Sequence, residues 1–169
     1  MEFEKELEEF RTFHKNYCFE YFDIIQKGDN LYCDGELLQV GDEKPLGESN
    51  RWINVGYNLK GDYSKVLSNL FPYTFYFRGK KLRSIESFFQ GIKFKNVNYK
   101  TWYLIEEYNR LIEELYISAI QNPLYRNILK KIDKPIIHSI GKESKEETVF
   151  TRFEFEEMLN CLVCFLRRK

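Results

Sequence analysis

The stretch Leu67 to Phe94, LSNLFPYTFYFRGKKLRSIESFFQGIKF, constrains this chain more than any other. It reads as a polar loop, a short strand, a tight turn at Arg78-Gly79-Lys80 and a helix that opens with a carboxylate. Ser84 suits the N-cap, which puts Glu86 in the first turn. Ile85, Phe88, Phe89 and Ile92 follow the i, i+3, i+4, i+7 spacing of one apolar face. Glu86, Gln90 and Lys93 fall on a second stripe beside it. A carboxylate, an amide and an ammonium along one helix edge, next to a buried aromatic face, form a candidate small-molecule site. The plainer reading of the same spacing is a capping Glu86 with Gln90 and Lys93 solvated.

Composition narrows the partners. The 169 residues suffice for one domain with a real core. Lysine plus arginine balance aspartate plus glutamate at 26 each, so no net positive field attracts nucleic acid non-specifically. Aromatics make up 17%, enough to fill a core and still spare rings to stack on a base. No apolar run approaches a membrane span, and the acidic, charged N-terminus is unlike a signal peptide. Four scattered cysteines make no disulfide framework. The expectation is a cytoplasmic protein without a membrane partner.

Along the chain, residues 2 to 26 place Phe3, Leu7, Phe10, Phe13, Tyr17, Tyr21 and Ile24 at helical steps, predicting an amphipathic helix ended near Gly28. Crowded β-formers around Phe19 to Ile25 allow a break into a strand. Asp34-Gly35 predicts a hairpin within Leu31 to Val40. A loop spans 41–50, and Trp52 to Tyr57 reads as a strand before an irregular stretch to Asn69. A long helix from about Tyr99 to Gln121 presents Trp102, Ile105, Tyr108, Ile112, Leu115 and Ala119, and Asn122-Pro123 interrupts it. Ile136 to Gly141 is a short strand or loop. Thr151 and Glu154 form a capping box for a last helix that buries Phe155, Met158, Leu159, Leu162 and Phe165 or Leu166.

Ser68, Asn69, Ser84, Ile85, Glu86, Phe88, Phe89, Gln90, Lys93 and Phe94 together carry a resemblance. The segment resembles the NADAR family, also called YbiA-like. That family's hallmark is a Ser-Asn loop, a strand and a helix of fixed pattern. The helix reads Ser, a β-branched residue, Glu, any residue, two aromatics, Gln, two further residues, Lys and an aromatic. Ser87 stands where the family usually has His. The Gln121-Asn122-Pro123 stretch with the short helix after it also resembles the family. The resemblance implies an α+β, predominantly helical single domain of the YbiA-like type with a few short strands, over residues 51–169. Residues 1–50 are then an added helix and hairpin packed on it.

The same resemblance implies an N-glycosidase. Its substrate would be a ribosylated base or an ADP-ribosylated guanine nucleotide, and Glu86 would be the catalytic carboxylate. The reading takes no metal and no cofactor. Breaking an N-glycosidic bond builds positive charge on the sugar, and an ionised Glu86 at a helix N-terminus opposes that charge or takes a proton from water. Ser68, Asn69, Gln90 and Lys93 would position sugar, base and phosphate, with Phe71 and Trp102 as stacking rings. His138 would contact a phosphate or base, although a lone His beside isoleucines also serves structure. Asn69 before Phe71-Pro72 also fits an Asx turn. Trp52 reads as a core anchor, as does Trp102 in its alternative role. Cys161 and Cys164 form C-x-x-C late in a helix, where the dipole disfavours thiolate, so core packing is the expectation. Two other readings stand beside the enzyme. One is a binding module that holds an ADP-ribose-like ligand without turnover. The other is a structural or partner-binding protein whose added N-terminal helix is the functional surface.

Overall fold

The computed structural model describes residues 2–93 and 106–168, without the side chains of Ile92, Lys93 and Glu106. Trp102 therefore lies outside the described residues, as does the first part of the expected long helix.

Helix α1 spans Glu2–Lys15, with acidic residues in its first turn and His14 and Lys15 in its last, as the helix dipole favours. It ends about a dozen residues short of Gly28. The chain from Tyr17 to Phe22 has no regular secondary structure instead, because aromatic β-formers gain more by packing across a neighbour than by continuing the helix. Tyr21 meets Phe19 and Phe153 edge-on, with ring centroids 5.1 and 5.3 Å away.

Strands β1 (Ile24–Lys27), β2 (Asn30–Cys33) and β3 (Glu36–Gln39) form an antiparallel meander, one strand more than the expected hairpin. Asp34 and Gly35 both adopt positive φ, 48° and 84°, as a two-residue turn of matching twist requires. Strand β4 is Ile53–Asn54, only two residues of the expected longer one. Strands β5 (Phe75–Phe77) and β6 (Lys80–Leu82) pair around Arg78-Gly79, so Lys80 starts a strand rather than closing the turn. Arg78 sits at φ 51°, and its guanidinium forks onto Glu114 at 2.9 and 3.0 Å.

The helices that follow are α2 (Ile85–Lys93), α3 (Glu106–Ala119), α4 (Pro123–Lys131) and α5 (Arg152–Arg167), with β7 (Ile136–Ile137) between the last two. Asn122 caps α4 and places Pro123 in its first turn, where a missing N–H costs nothing. Thr151 and Glu154 form the reciprocal capping box of α5. Phe10 of α1, Leu115 and Tyr116 of α3, Leu129 of α4 and Leu159 and Leu162 of α5 are fully buried in the main core. A second cluster seats Cys33 and Leu38 of the meander over Trp52 and Ile137. Trp52 is thus a core anchor, wholly buried. Cys161 is buried and Cys164 exposed, and burial pushes the Cys161 thiol up, away from thiolate.

Together these elements make one mixed α/β domain with five helices and short strands among the described residues. No described helix is long and apolar enough to cross a membrane. Helix α1 is locked on by a half-buried cluster: His14 Nδ1 lies 2.6 Å from Glu113 of α3, and its Nε2 lies 3.7 Å from Glu157 of α5. Burial alone would lower the His14 pKa, but the two carboxylates outweigh it and raise it to about 9.

Candidate functional site

Two strands of two residues each build the site. β4 and β7 run parallel: Ile53 N–H donates to Pro135 O at 2.9 Å, and Val55 N–H to Ile137 O at 2.8 Å. So short a ladder has few bonds of its own, and buried amides brace it. Asn54 donates to Leu46 O and Ser139 Oγ and accepts from Ser139 N–H. On the other side Asn160 of α5 accepts from Ile136 N–H and donates to Ile136 O, both at 2.9 Å. Past the carboxyl ends of the two strands the chain diverges and leaves a cavity of about 300 Å³. The carboxyl end of parallel strands is where α/β proteins commonly hold ligands.

Helix α2 closes one wall with Glu86 and Phe89. Its start is fixed by Ser84, whose Oγ accepts from Ser87 N–H at 3.3 Å, and by Asn69, whose carbonyl accepts from Glu86 N–H at 2.9 Å. Those two amides are therefore already bonded within the protein. The helix dipole still favours a carboxylate at this end of α2. Phe89 is buried and stacks on Phe150 at 5.1 Å, so the cavity that Glu86 lines also has an aromatic surface.

The loop before β5 supplies Ser68 and Asn69. Ser68 is nearly buried, and its Oγ accepts from Leu70 N–H. Asn69 Oδ1 accepts from Tyr116 Oη at 2.8 Å. Burial holds the Tyr116 hydroxyl protonated, so it is a permanent donor and fixes the amide. Asn69 Nδ2 has no bond to a described residue and is left for a ligand.

His138 follows β7 and lines the opposite wall. Its Nδ1 lies 2.8 Å from Val55 O, and its ring packs on Phe155 at 4.6 Å. Its backbone N–H donates to Glu156 Oε2 at 2.8 Å. Glu156 is wholly buried and pairs with Arg152 at 2.5 Å, and Arg152 also donates to Glu143 at 3.0 Å. Burial pushes the Glu156 carboxyl up, against the pull of Arg152 and of the His138 amide. The network sits behind the loop that carries His138.

Glu86, Ser68, Asn69 and His138 therefore meet around one cavity. The other site residues do not join them. Gln90 is exposed and lies outside the lining, with Nε2 3.5 Å from Glu86 Oε2. Phe71 packs on Tyr73 at 4.8 Å, its ring taken up by the core rather than offered to a base. The Lys93 side chain and all of Trp102 lie outside the described residues.

Sequence reading missed Tyr57, Phe150 and Lys142. Tyr57 and Phe150 supply rings at the cavity, and exposed Lys142 supplies a cation at its rim, 3.9 Å from Glu147. It also missed the stripe Arg152, Glu156, Asn160. Those residues recur at every fourth position of a strongly apolar helix, and that regularity was the available signal. A larger hollow of about 960 Å³ lies against α1, between Lys5, Phe13, Tyr17 and Arg168, and it contains none of the expected site residues. No protein-family profile, no curated protein and no solved structure matches this chain.

Proposed function

We propose that the protein hydrolyses an N-glycosidic bond in a nucleotide-like substrate, as the resemblance to the NADAR N-glycosidases implies. The observation that carries this reading is the convergence of Glu86, Asn69, Ser68 and His138 on one cavity with an aromatic surface. In this mechanism the bond between the anomeric carbon and the base nitrogen breaks. Its electron pair leaves with the base, and positive charge grows on the sugar. The Glu86 carboxylate opposes that charge or takes a proton from the incoming water. The water oxygen bonds to the anomeric carbon, and one water proton ends on the departing base. The Asn69 amide donates to a sugar or base oxygen. A cavity of about 300 Å³ stands at the small end of ligand pockets. It suits one ribosyl-base unit, with any phosphate outside it near Lys142.

One observation favours the binding module as a second reading. Glycosidases commonly act with two carboxylates. Glu86 is the one carboxylate lining this cavity among the described residues, since Glu143 and Glu147 turn to Arg152 and Lys142. The two readings separate in one experiment. Wild type and Glu86→Gln are incubated with ADP-ribosylated guanosine, and free base is followed by mass spectrometry. Release by wild type alone supports the enzyme. Equal release by both removes Glu86 from the mechanism, and binding without release favours the module.

A further inference from the structure

We infer that His138 is a fixed hydrogen-bond acceptor, whose Nε2 selects a ligand that presents an N–H or O–H donor and does not contact a phosphate. This rests on the cavity being the ligand site, as proposed above, and states what the ligand must offer there.

The tautomer follows from the partner. Val55 O, 2.8 Å from Nδ1, can only accept, so Nδ1 carries the proton. Nε2 is then the remaining polar atom of a ring that lines the cavity, and no described group bonds it. A second proton is disfavoured by the surroundings. The ring packs on Phe155, and the Arg152 guanidinium lies behind it. Burial lowers the His138 pKa; the Val55 carbonyl opposes it in part, and the Arg152 charge adds a smaller lowering. A neutral imidazole presents a lone pair at Nε2, which accepts from a donor and repels phosphate oxygen.

The ring is also held in place. A Cβ at Gly141 would fall 2.4 Å from His138 Cδ2 and 3.0 Å from Nε2, so only glycine lets the loop pass over the ring. The His138 N–H is anchored on Glu156, and Glu156 on Arg152. Glu156 and Arg152 act as positioning residues, since they hold the loop and not the ligand. A preset buried acceptor discriminates strongly, because a ligand that lacks the donor leaves it unpaired.

The test uses the full chain, with guanosine and sulfate as probes, sulfate being a tetrahedral oxyanion that carries no proton, like a fully ionised phosphate. Nitrogen NMR of the histidine ring should show Nδ1 protonated and Nε2 bare in the free protein. Guanosine should shift Nε2, and sulfate should not. His138→Leu should weaken guanosine about tenfold or more, whereas His138→Gln, whose amide oxygen can replace Nε2, should stay within about threefold. Among inosine, 2′-deoxyguanosine and 3′-deoxyguanosine, one should lose affinity for wild type yet bind His138→Leu no worse than guanosine does. A protonated Nε2 in the free protein, or a shift of Nε2 by sulfate, overturns the inference. So does a guanosine shift at Asn69 and Phe89 that spares His138, and the cavity then survives as a ligand site. If guanosine shifts no cavity residue, the reading of the site falls, and the inference with it.

Discussion

The chain has two histidines, and their surroundings treat them in opposite ways. His14 sits at the seam where α1 meets α3 and α5, with a carboxylate near each ring nitrogen. His138 sits at the cavity, with a carbonyl on one nitrogen, a guanidinium behind and no described partner on the other. The first is pushed towards the charged form and the second towards the neutral one. The seam is closed: each polar atom of the imidazole faces another protein group. The cavity is left incomplete, with an amide nitrogen on Asn69 and a ring nitrogen on His138 still open. Buried polar groups that satisfy one another hold a fold together. Those held rigidly yet left open mark where something else is expected to bind.

The sharpest way to break this contrast is at the network behind His138. Arg152→Met removes the partner of a wholly buried carboxylate and should destabilise the fold by about 3–5 kcal/mol, as breaking buried pairs does. Chemical denaturation measures it. A loss below about 1 kcal/mol would mean that the Glu156–Arg152 pair does not hold the fold together. Glu86→Gln should instead leave stability unchanged and lower base release by about a hundredfold or more. A variant that unfolds would make Glu86 part of the frame rather than of the chemistry.

At the seam, the effect depends on pH. The folded pKa of His14, about 9, lies above its ordinary 6.5. Its contribution is therefore complete below about pH 6.5 and disappears as pH rises through about 9, amounting to roughly 2–3 kcal/mol. Glu157 is held below its ordinary range by His14, so its part is complete above about pH 4.5 and fades in acid. Thermal unfolding of wild type should decline between pH 6.5 and 9, and His14→Leu should flatten that decline without altering guanosine binding. A variant slope equal to wild type would dismiss the seam as the source. The smallest effect is expected at the rim. Lys142→Ala should weaken a phosphorylated nucleoside by at most about 1 kcal/mol, since the ammonium is exposed, and leave the unphosphorylated one unaffected. Calorimetry on both ligands gives the comparison.

What the sequence made legible was local. The Thr151–Glu154 capping box, the Asp34-Gly35 turn and the Ser84 start of α2 each depend on residues within a few positions of one another, and all three are present. Glu86, Ser68 and Asn69 lie close enough in the chain for their meeting to be anticipated. The opposite wall was not legible. It depends on a parallel pair of two-residue strands, and two residues carry no periodicity to recognise. The extent of α1 was misjudged because its helical spacing runs on into aromatics that pack equally well outside a helix. Arg152, Glu156 and Asn160 look like a solvated stripe until the tertiary fold buries them. Gln90 shows the reverse error, since a place on the right stripe did not bring it into the cavity.

The β4–β7 pair also has a consequence for how the protein comes into being. Val55 and His138, which follow β4 and β7, are 83 residues apart, and β7 and the residue after it are held by Asn160 and Glu156 of α5. A chain emerging from the ribosome presents α2 and its carboxylate long before α5 exists to complete the opposite wall. Until then there is a helix that carries Glu86 but no pocket around it. Contacts this distant in sequence form slowly and late. Any reactivity of Glu86 is thereby deferred to the last stage of folding, and a chain truncated before α5 should carry the residue without the proposed activity.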